Sequence, residues 1–482
     1  MSHRNWKLIY TSCSGLEQKA LEFLYREMGA LLLRDRGRYT IYTLRCESVQ
    51  EAERTPWEQN AVVLGLYAEN PIVQRLIQKQ EIPPNGYLVR VMDNPEQPDC
   101  QLVLITANDP AALYYGAVDW VDQILPTAAP VHGTVRLVDE VFEQPLPTGT
   151  FASAPVVKTR SVFTWGHPIN DYRAYLEGMA RLKLNQLILW NDYVPLNAAE
   201  IVAYAHAYGI QVIWGFAWGW SRQCDRVNLD ELDALAAEIL STYRTCYREL
   251  PGDGIYFQSF TELGKDRIGG RLISEAVVSL VNTVSAAILA EQPELHIQFG
   301  LHATSVRAHL TDLERVDPRV EIMWEDCGAF PFAYEPQAGS AQEVQETDAL
   351  MQRILAQRPG APVSALLKGF LTLDWVGDRF VHQAGAFPLG VSGSALIEHD
   401  RQMLAPIWRH YQTGWLQNGE EAYRMVRRLT ALRPDMTLGM AGQFAGDLWF
   451  PEALCAQILW GCDRPYDEIL RQVSGRRCVR MV

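Results

Sequence analysis

The sequence has no pair of cysteines at C-x-x-C spacing, and its cysteines are odd in number and scattered along the chain. The nine cysteines are Cys13, Cys46, Cys100, Cys224, Cys246, Cys327, Cys455, Cys462 and Cys478. This distribution argues against a disulfide scaffold and against a zinc knuckle. We therefore expect reduced thiols and a cytoplasmic location.

Long hydrophobic runs and blocks of basic residues are also missing. No apolar stretch reaches the roughly 18 residues of a membrane span. The first residues run straight into a strand-like pattern, and we expect no signal peptide. The 43 basic residues are outnumbered by 57 acidic ones, giving a formal net charge of −14. Because a surface of that sign repels phosphate backbones and anionic lipids, we expect neither a nucleic-acid partner nor a membrane.

Length and local pattern predict three regions. A chain of 482 residues is too long for one small core. Residues 1–150 alternate strand and helix signals and predict a compact α/β domain, in which Asn108-Asp109-Pro110 begins a helix. The Pro-rich residues 144–149 separate this domain from residues 155–405. We expect residues 406–482 to form helices that pack on the barrel or mediate self-association into a homo-oligomer.

Residues 155–405 alternate short apolar strands with helical segments. The predicted strands are 160–165, 186–191, 211–216, 254–261, 296–301, 320–324, 364–370 and 393–397. Near-continuous apolar strands are typical of parallel sheets, which need both faces covered. The predicted fold class is therefore α/β: a (β/α)8 barrel preceded by a small α/β domain and followed by a helical C-terminal region.

Polar and aromatic residues follow most of the predicted strands, where the active site of such a barrel lies. They are Trp165 and His167, Asn191 and Asp192, Trp218 and Trp220, Glu262, His302, Glu325 and Asp326, and Asp374 and Trp375. Carboxylates with accompanying tryptophans suit a sugar site, because one acid protonates the leaving oxygen, another acts as base or nucleophile, and indole faces stack on sugar rings. We predict an oligosaccharide or glycoside substrate, with no cofactor and no metal.

Each candidate also has a purely structural interpretation. Glu262 taken alone is more often a solvated acid at a strand end than a catalyst. Trp190 and Trp214 fill a core as readily as they contact a ligand. His167 and His302 have no second ligand at short spacing, which favours hydrogen-bonded rim residues over metal ligands. Three acids at three strand ends form a more specific signal than any one of them.

Several stretches in the first 265 residues share a pattern with one known family. Residues 175–191 form a helix and a strand that closes with Asn191, and 160–165 run from an arginine to a tryptophan. Residues 208–212 read Tyr-Gly-Ile-Gln-Val, and Thr261-Glu262 ends strand four. These stretches resemble glycoside hydrolase family 67, the α-glucuronidases, in which strand four ends in Ser-Glu and the glutamate is the general acid.

The resemblance extends to the first domain but departs elsewhere. Residues 104–125, with Tyr114-Tyr115-Gly116, look like the α/β domain that precedes the barrel in families 67, 20 and 84. Thr261 stands where family 20 has the aspartate of its Asp-Glu pair, which weakens a hexosaminidase interpretation. Strand seven ends in Asp374, a shorter acid than in family 67, and the C-terminal region is shorter than that family's helical domain.

The leading hypothesis implied by the resemblance is a glycoside hydrolase with Glu262 as general acid. Asp374, or one of Glu325 and Asp326, would activate water. The residues expected to bind the sugar are Arg160, Trp165, His167, Asn191, Trp218, Trp220, His302, Lys368 and Trp375.

The acid is expected to lie in apolar surroundings. A carboxyl that protonates a leaving oxygen near neutral pH needs an environment that favours its protonated form, and Tyr256, Phe257 and Phe260 would supply it for Glu262. A separation of about 6.5–9.5 Å between the two carboxyls would indicate inversion, and about 5 Å retention.

Two rival functions keep the barrel. In one, Glu262, His302, Asp326 and Asp374 ligate a divalent metal for sugar isomerisation or hydrolysis. In the other, the barrel binds carbohydrate through its aromatic residues and has lost its base.

Overall fold

The structure, a computed structural model, describes residues 5–33, 44–54, 59–164, 169, 171–190, 194–219, 227–302, 304–325, 341–367, 394–442 and 448–481. The chain divides into two compact units. The first comprises Met1–Pro155, Ala207–Gly209 and Asp467–Val479, and the second comprises Val156–His206, Ile210–Tyr466 and Arg480–Val482.

The first unit is built on a six-stranded sheet. In spatial order its strands are Leu44–Ser48, Trp6–Tyr10, Asn60–Leu66, Gln97–Ala107, Tyr87–Asn94 and Gly149–Ser153. The first four are parallel, and Tyr87–Asn94 is antiparallel to both of its neighbours. The α-helices of this part are Gly15–Leu33, Val49–Ala52, Pro71–Leu76, Pro110–Asp119 and Leu125–Ala128. The predicted α/β domain is confirmed, and Asp109 caps its helix by accepting a hydrogen bond from the Ala112 N–H at 2.9 Å.

Residues near the C-terminus complete this first unit. The guanidinium of Arg476 lies 3.1 Å from the carboxylate of Asp119, and both side chains are buried. Asp119 also accepts a hydrogen bond from the Tyr87 hydroxyl. The stretch 406–482, predicted as a helical C-terminal region, is therefore divided, because Asp467–Val479 belong to the first unit and its other residues to the second.

The second unit is a closed barrel of eight parallel strands. In chain order, as barrel strands one to eight, they are Thr159–Phe163, Gln186–Trp190, Gln211–Gly215, Gly254–Gln258, His296–Leu301, Val320–Trp324, Val363–Leu367 and Thr437–Ala441. Its α-helices of nine or more residues are Tyr172–Arg181, Ala198–His206, Leu232–Thr242, Ile273–Glu291, Ala341–Gln357, Ser394–Leu432 and Phe450–Gly461. The helix that follows, Tyr466–Ser474, belongs to the first unit except for Tyr466. The predicted (β/α)8 fold is confirmed, and strands five and six have the predicted bounds.

The eighth strand lies elsewhere than predicted. Residues 394–397 belong to the helix Ser394–Leu432, so the predicted barrel end near residue 405 is wrong. A short apolar run does not distinguish a strand from a buried helix, and the helix-forming residues that follow extend this one as a helix. The true strand contains Gly439, which lowers its β propensity. A Cβ at Gly439 would overlap the Ser161 hydroxyl and approach the Leu366 side chain, so this close approach to strand one favours glycine.

The barrel interior has an apolar belt between two polar groups. The belt consists of Phe163, Ile188, Trp190, Ile213, Tyr256, Met323, Leu366 and Ala441. On the side of the strand N-termini, the buried Glu321 accepts a hydrogen bond from Gln298 at 3.0 Å and lies 2.7 Å from the ring nitrogen of His296. On the opposite side lies a second polar group, at the end where barrel active sites are found.

One helix in the described part of the chain, Ile273–Glu291, has the length and apolar composition of a membrane span. In the barrel unit, 61% of its most apolar window is buried. Buried core helices commonly meet the same criteria, so the helix is weak evidence for a membrane span.

Candidate functional site

The fourth barrel strand carries polar side chains up to the C-terminal end of the barrel. Tyr256 belongs to the interior belt, and because side chains alternate along a strand, Gln258 points to the same interior. Beyond the strand, the Thr261 N–H donates to the Ser259 carbonyl at 2.9 Å, which forms a three-residue turn. Glu262 follows this turn and is exposed at the rim.

Glu325 directly follows the sixth strand and is completely buried. Its backbone N–H donates to the Leu301 carbonyl at 3.1 Å, which continues the ladder between strands five and six. Its carboxylate accepts hydrogen bonds from the Tyr256 hydroxyl and, at 2.7 Å, from the Gln258 amide. The Nε2 atom of His302 lies 3.0 Å from the same carboxylate. We call these four residues, Tyr256, Gln258, His302 and Glu325, the buried cluster.

The buried cluster depends on a glycine, Gly300, in strand five. Tyr256 and Glu325 come from strands four and six, which flank strand five. A Cβ at Gly300 would overlap both the Tyr256 hydroxyl and the Glu325 carboxylate. Glycine at this position therefore lets two side chains meet across the intervening strand.

The electrostatics fix the donor and acceptor roles in the buried cluster. Burial, followed by the charge of Glu325 and its hydrogen bond, raises the pKa of Tyr256 well above its usual value, so the hydroxyl stays protonated and donates. An ionised carboxylate only accepts hydrogen bonds, which agrees with donation by the Tyr256 hydroxyl and the Gln258 amide. Two donors, the Tyr256 hydroxyl and the Gln258 amide, thus compensate for the burial of one carboxylate.

Among the solved structures similar to this chain are two of low sequence identity. The first, CpGH84D, is 11% identical with a TM-score of 0.44, and the match covers 75% of this chain and 57% of that one. The second, a GH138 enzyme targeting pectin rhamnogalacturonan II, is 12% identical with a TM-score of 0.46, and the match covers 96% of this chain and 52% of that one. The chain thus spans little more than half the length of either. No protein-family model and no curated protein matches the sequence. At such identities the function has to be argued from the site itself.

Arg160 does not lie at the predicted sugar site. Its guanidinium donates to the carbonyls of Lys183 at 2.6 Å, Val157 at 2.6 Å and Lys158 at 2.8 Å. These carbonyls precede strands one and two, so the buried side chain lies at the N-terminal end of the barrel. The prediction that Arg160 binds sugar is wrong. Arg160 stands near the start of strand one, which places it at the N-terminal end of the barrel, whereas barrel active sites lie at the C-terminal end.

Trp218 is also a core residue. It is completely buried, and its indole stacks on the Phe257 ring with centroids 3.6 Å apart. Phe257 stacks in turn on Phe299 of strand five. Phe257 and Phe299 alternate with the inward-facing side chains of their strands, so this stack lies on the outer face of the barrel. The prediction that Trp218 contacts sugar is therefore wrong.

Glu262 is not enclosed by the three aromatic residues predicted to surround it. Tyr256, Phe257 and Phe260 are completely buried, whereas Glu262 is exposed. The strand and its turn place the aromatic rings inside the unit and the carboxylate at its surface.

Several predicted site residues lie outside the described residues: Trp165, His167, Asn191, Asp192, Trp220, Asp326, Lys368, Asp374 and Trp375. The structure therefore brings together Glu325 and His302 and places Glu262 at the same end of the barrel. Within the described ranges, no group of three or more His, Cys, Asp or Glu side chains is arranged to hold a metal ion.

Sequence reasoning missed Tyr256, Gln258 and Gly300. A signal for the first two was available, since residues 254, 256 and 258 share one face of the fourth strand. The role of Gly300 requires the register, in which Gly300 pairs with Gln258 on one side and Met323 on the other.

Proposed function

We propose that this chain is a glycoside hydrolase whose active site lies at the C-terminal ends of the barrel strands. The observation that carries the proposal is the contrast between two carboxylates at that end. Glu262 is exposed after strand four, where a substrate reaches it, whereas Glu325 is buried after strand six, accepts hydrogen bonds from Tyr256 and Gln258, and lies 3.0 Å from His302. Environments this different give two carboxylates different roles.

In this proposal Glu262 is the general acid. Its proton passes to the glycosidic oxygen as the bond to the anomeric carbon breaks, and a water oxygen bonds to that carbon. Asp374 or Asp326 takes the proton from the water, as the sequence predicts. Because Glu262 is exposed, the bound sugar itself has to cover the carboxyl and exclude water.

Glu325 has a different part in the proposal. A base must reach a water molecule next to the anomeric carbon, and a completely buried carboxylate that accepts from Tyr256 and Gln258 does not. We assign it to positioning, since it lies 3.0 Å from the His302 ring at the end of strand five. His302 remains a proposed sugar contact.

The relationship to α-glucuronidases is the finer part of the proposal. It rests on the sequence resemblance, above all on Thr261-Glu262 at the end of strand four. A panel of nitrophenyl glycosides that includes glucuronides tests it, because hydrolysis confined to uronides would support the family 67 resemblance. Hydrolysis of neutral glycosides alone would reject the uronide assignment and leave the general proposal standing.

Glu262→Gln tests the role of the acid. Loss of general acid catalysis lowers the rate by about 10²–10⁴-fold on a substrate with a poor leaving group. The loss should be smaller for a dinitrophenyl glycoside, whose leaving group departs without protonation. The matched control is Glu294→Gln, an exposed glutamate in the turn before strand five at the opposite end of the barrel. Equal rates for both variants and the wild type would refute the assignment.

A further inference from the structure

Ser305 holds the backbone on both sides of Glu262. Its N–H donates to the Thr261 carbonyl at 3.0 Å, and its hydroxyl donates to the Leu263 carbonyl at 2.6 Å. Ser305 itself is 1% exposed. One buried serine thus binds the residues immediately before and after the exposed carboxylate.

The backbone around Glu262 lies beyond the end of strand four, where the barrel ladder no longer holds the chain. Buried Phe260 and Thr261 anchor the N-terminal side of the segment. On the C-terminal side, Leu263 is half-buried and its carbonyl accepts the Ser305 hydroxyl. That hydroxyl therefore fixes the backbone just after the carboxylate.

The turn that carries Ser305 is itself anchored. His302, three residues earlier, is buried beside Glu325, and Val306, directly after Ser305, is completely buried. Because Ser305 and Val306 are both buried, the Ser305 hydroxyl and N–H are presented to the Glu262 segment from a packed part of the barrel unit. Groups supported in this way keep a catalytic side chain within the small range of positions that a reaction needs.

We infer that Ser305 is a positioning residue for Glu262. The inference rests on the proposed function, in which Glu262 is the general acid. The hydroxyl of Ser305 keeps the carboxyl in line with the glycosidic oxygen, and its removal leaves the sugar-binding groups in place. The consequence falls on kcat rather than on KM.

The test is Ser305→Ala, with Ser274→Ala as the matched control. Ser274 is another buried serine of the barrel unit, and its hydroxyl donates to the Asp312 carboxylate at the same distance of 2.6 Å. Both variants lose one buried hydroxyl hydrogen bond, but only Ser305 contacts the Glu262 segment. We expect Ser305→Ala to lower kcat by about 10- to 100-fold with KM within about twofold, because small displacements of a catalytic group cost this much. Ser274→Ala should leave both constants unchanged.

A second measurement does not depend on activity. Amide hydrogen exchange over residues 259–264 should be faster by about tenfold in Ser305→Ala, because the segment opens more readily once a fixing contact is lost. In Ser274→Ala the exchange of this segment should equal that of the wild type.

The outcomes separate the inference from the proposed function. Unchanged kcat and unchanged exchange in Ser305→Ala would overturn the inference. Faster exchange with unchanged kcat would also overturn it, because Ser305 would then fix the chain with no consequence for the acid. If Glu262→Gln keeps full activity, the proposed function fails together with the inference. If Glu262→Gln loses activity while Ser305→Ala keeps it, only the inference fails and the proposed function stands.

Discussion

Replacing Tyr256 with phenylalanine tests whether Glu325 is an ionised carboxylate held by its neighbours. The substitution removes one oxygen atom from a completely buried side chain and keeps the ring that packs in the apolar belt. Glu325 would keep the Gln258 amide and His302 as partners but would lose the phenolic donor. A hydrogen bond to a charged group contributes about 1.5–3 kcal/mol, so we expect a loss of that size in the free energy of unfolding.

The matched control is Tyr243→Phe. Tyr243 is also completely buried, but its hydroxyl donates to the neutral side-chain oxygen of Gln292. A bond between neutral groups contributes about 0.5–1.5 kcal/mol. The difference between the two variants therefore measures the charge of Glu325 and not the loss of a tyrosine hydroxyl as such.

Urea unfolding followed by circular dichroism provides the assay, with an unchanged m value as the sign that the surface exposed on unfolding stays the same. Because burial and the charge of Glu325 raise the pKa of Tyr256, its hydroxyl favours the folded state fully below about pH 10 and loses this effect as the pH rises further. The difference between Tyr256→Phe and the wild type should therefore shrink above that pH. Equal losses in Tyr256→Phe and Tyr243→Phe would refute the reasoning. So would independent effects of Tyr256→Phe and Glu325→Gln in a double-mutant cycle.

Two further predictions concern buried ion pairs. Asp119→Ala removes the carboxylate that lies 3.1 Å from the buried Arg476 guanidinium and should cost about 3–5 kcal/mol in urea unfolding. Glu420→Ala, which breaks an exposed pair with Arg424, should cost no more than about 1 kcal/mol, and equal losses would contradict this account. Burial alone would raise the pKa of Glu321, but its hydrogen bonds, led by that from His296, outweigh burial and lower the pKa. This carboxylate therefore stabilises the fold above pH 4.5 and ceases to do so as the pH falls through its lowered pKa. Glu321→Gln should flatten the acid limb of a thermal-stability profile, and an unchanged limb would reject this role.

The barrel was predictable from the sequence because parallel strands buried on both faces leave a strong local signal. His296–Leu301 and Val320–Trp324 are near-continuous β-rich runs, and the structure has them with the predicted bounds. The eighth strand, Thr437–Ala441, lacks that signal because its interior position is occupied by glycine. Gly439 is favoured because strand one approaches it closely, and this contact joins residues far apart in the sequence. Local propensity does not contain such information.

The site was predictable only as a set of strand ends. Position after a strand indicates the end of the barrel, and it does not say whether a side chain is buried or exposed. Glu262 and Glu325 both follow strands, yet a turn exposes the first and the strand ladder buries the second. Trp218 likewise follows strand three but faces the outer layer. The face of each residue is set by the register and by the turn geometry, which the sequence specifies through distant partners.

The fourth strand shows how one short segment supplies both parts of the site. Two successive inward positions, Tyr256 and Gln258, donate to the buried carboxylate of Glu325, and that carboxylate faces His302 at the end of strand five. The chain then turns within three residues and presents Glu262 at the rim. Ser305, on the turn that follows His302, returns to hold the chain on both sides of Glu262. The buried charge and the exposed carboxylate are thus connected through the end of strand five. The connection combines the hydrogen bonds to Glu325, its close contact with His302, the chain from His302 to Ser305 and the hydrogen bonds of Ser305, so we expect the buried carboxylate, costly by itself, to help position the proposed acid.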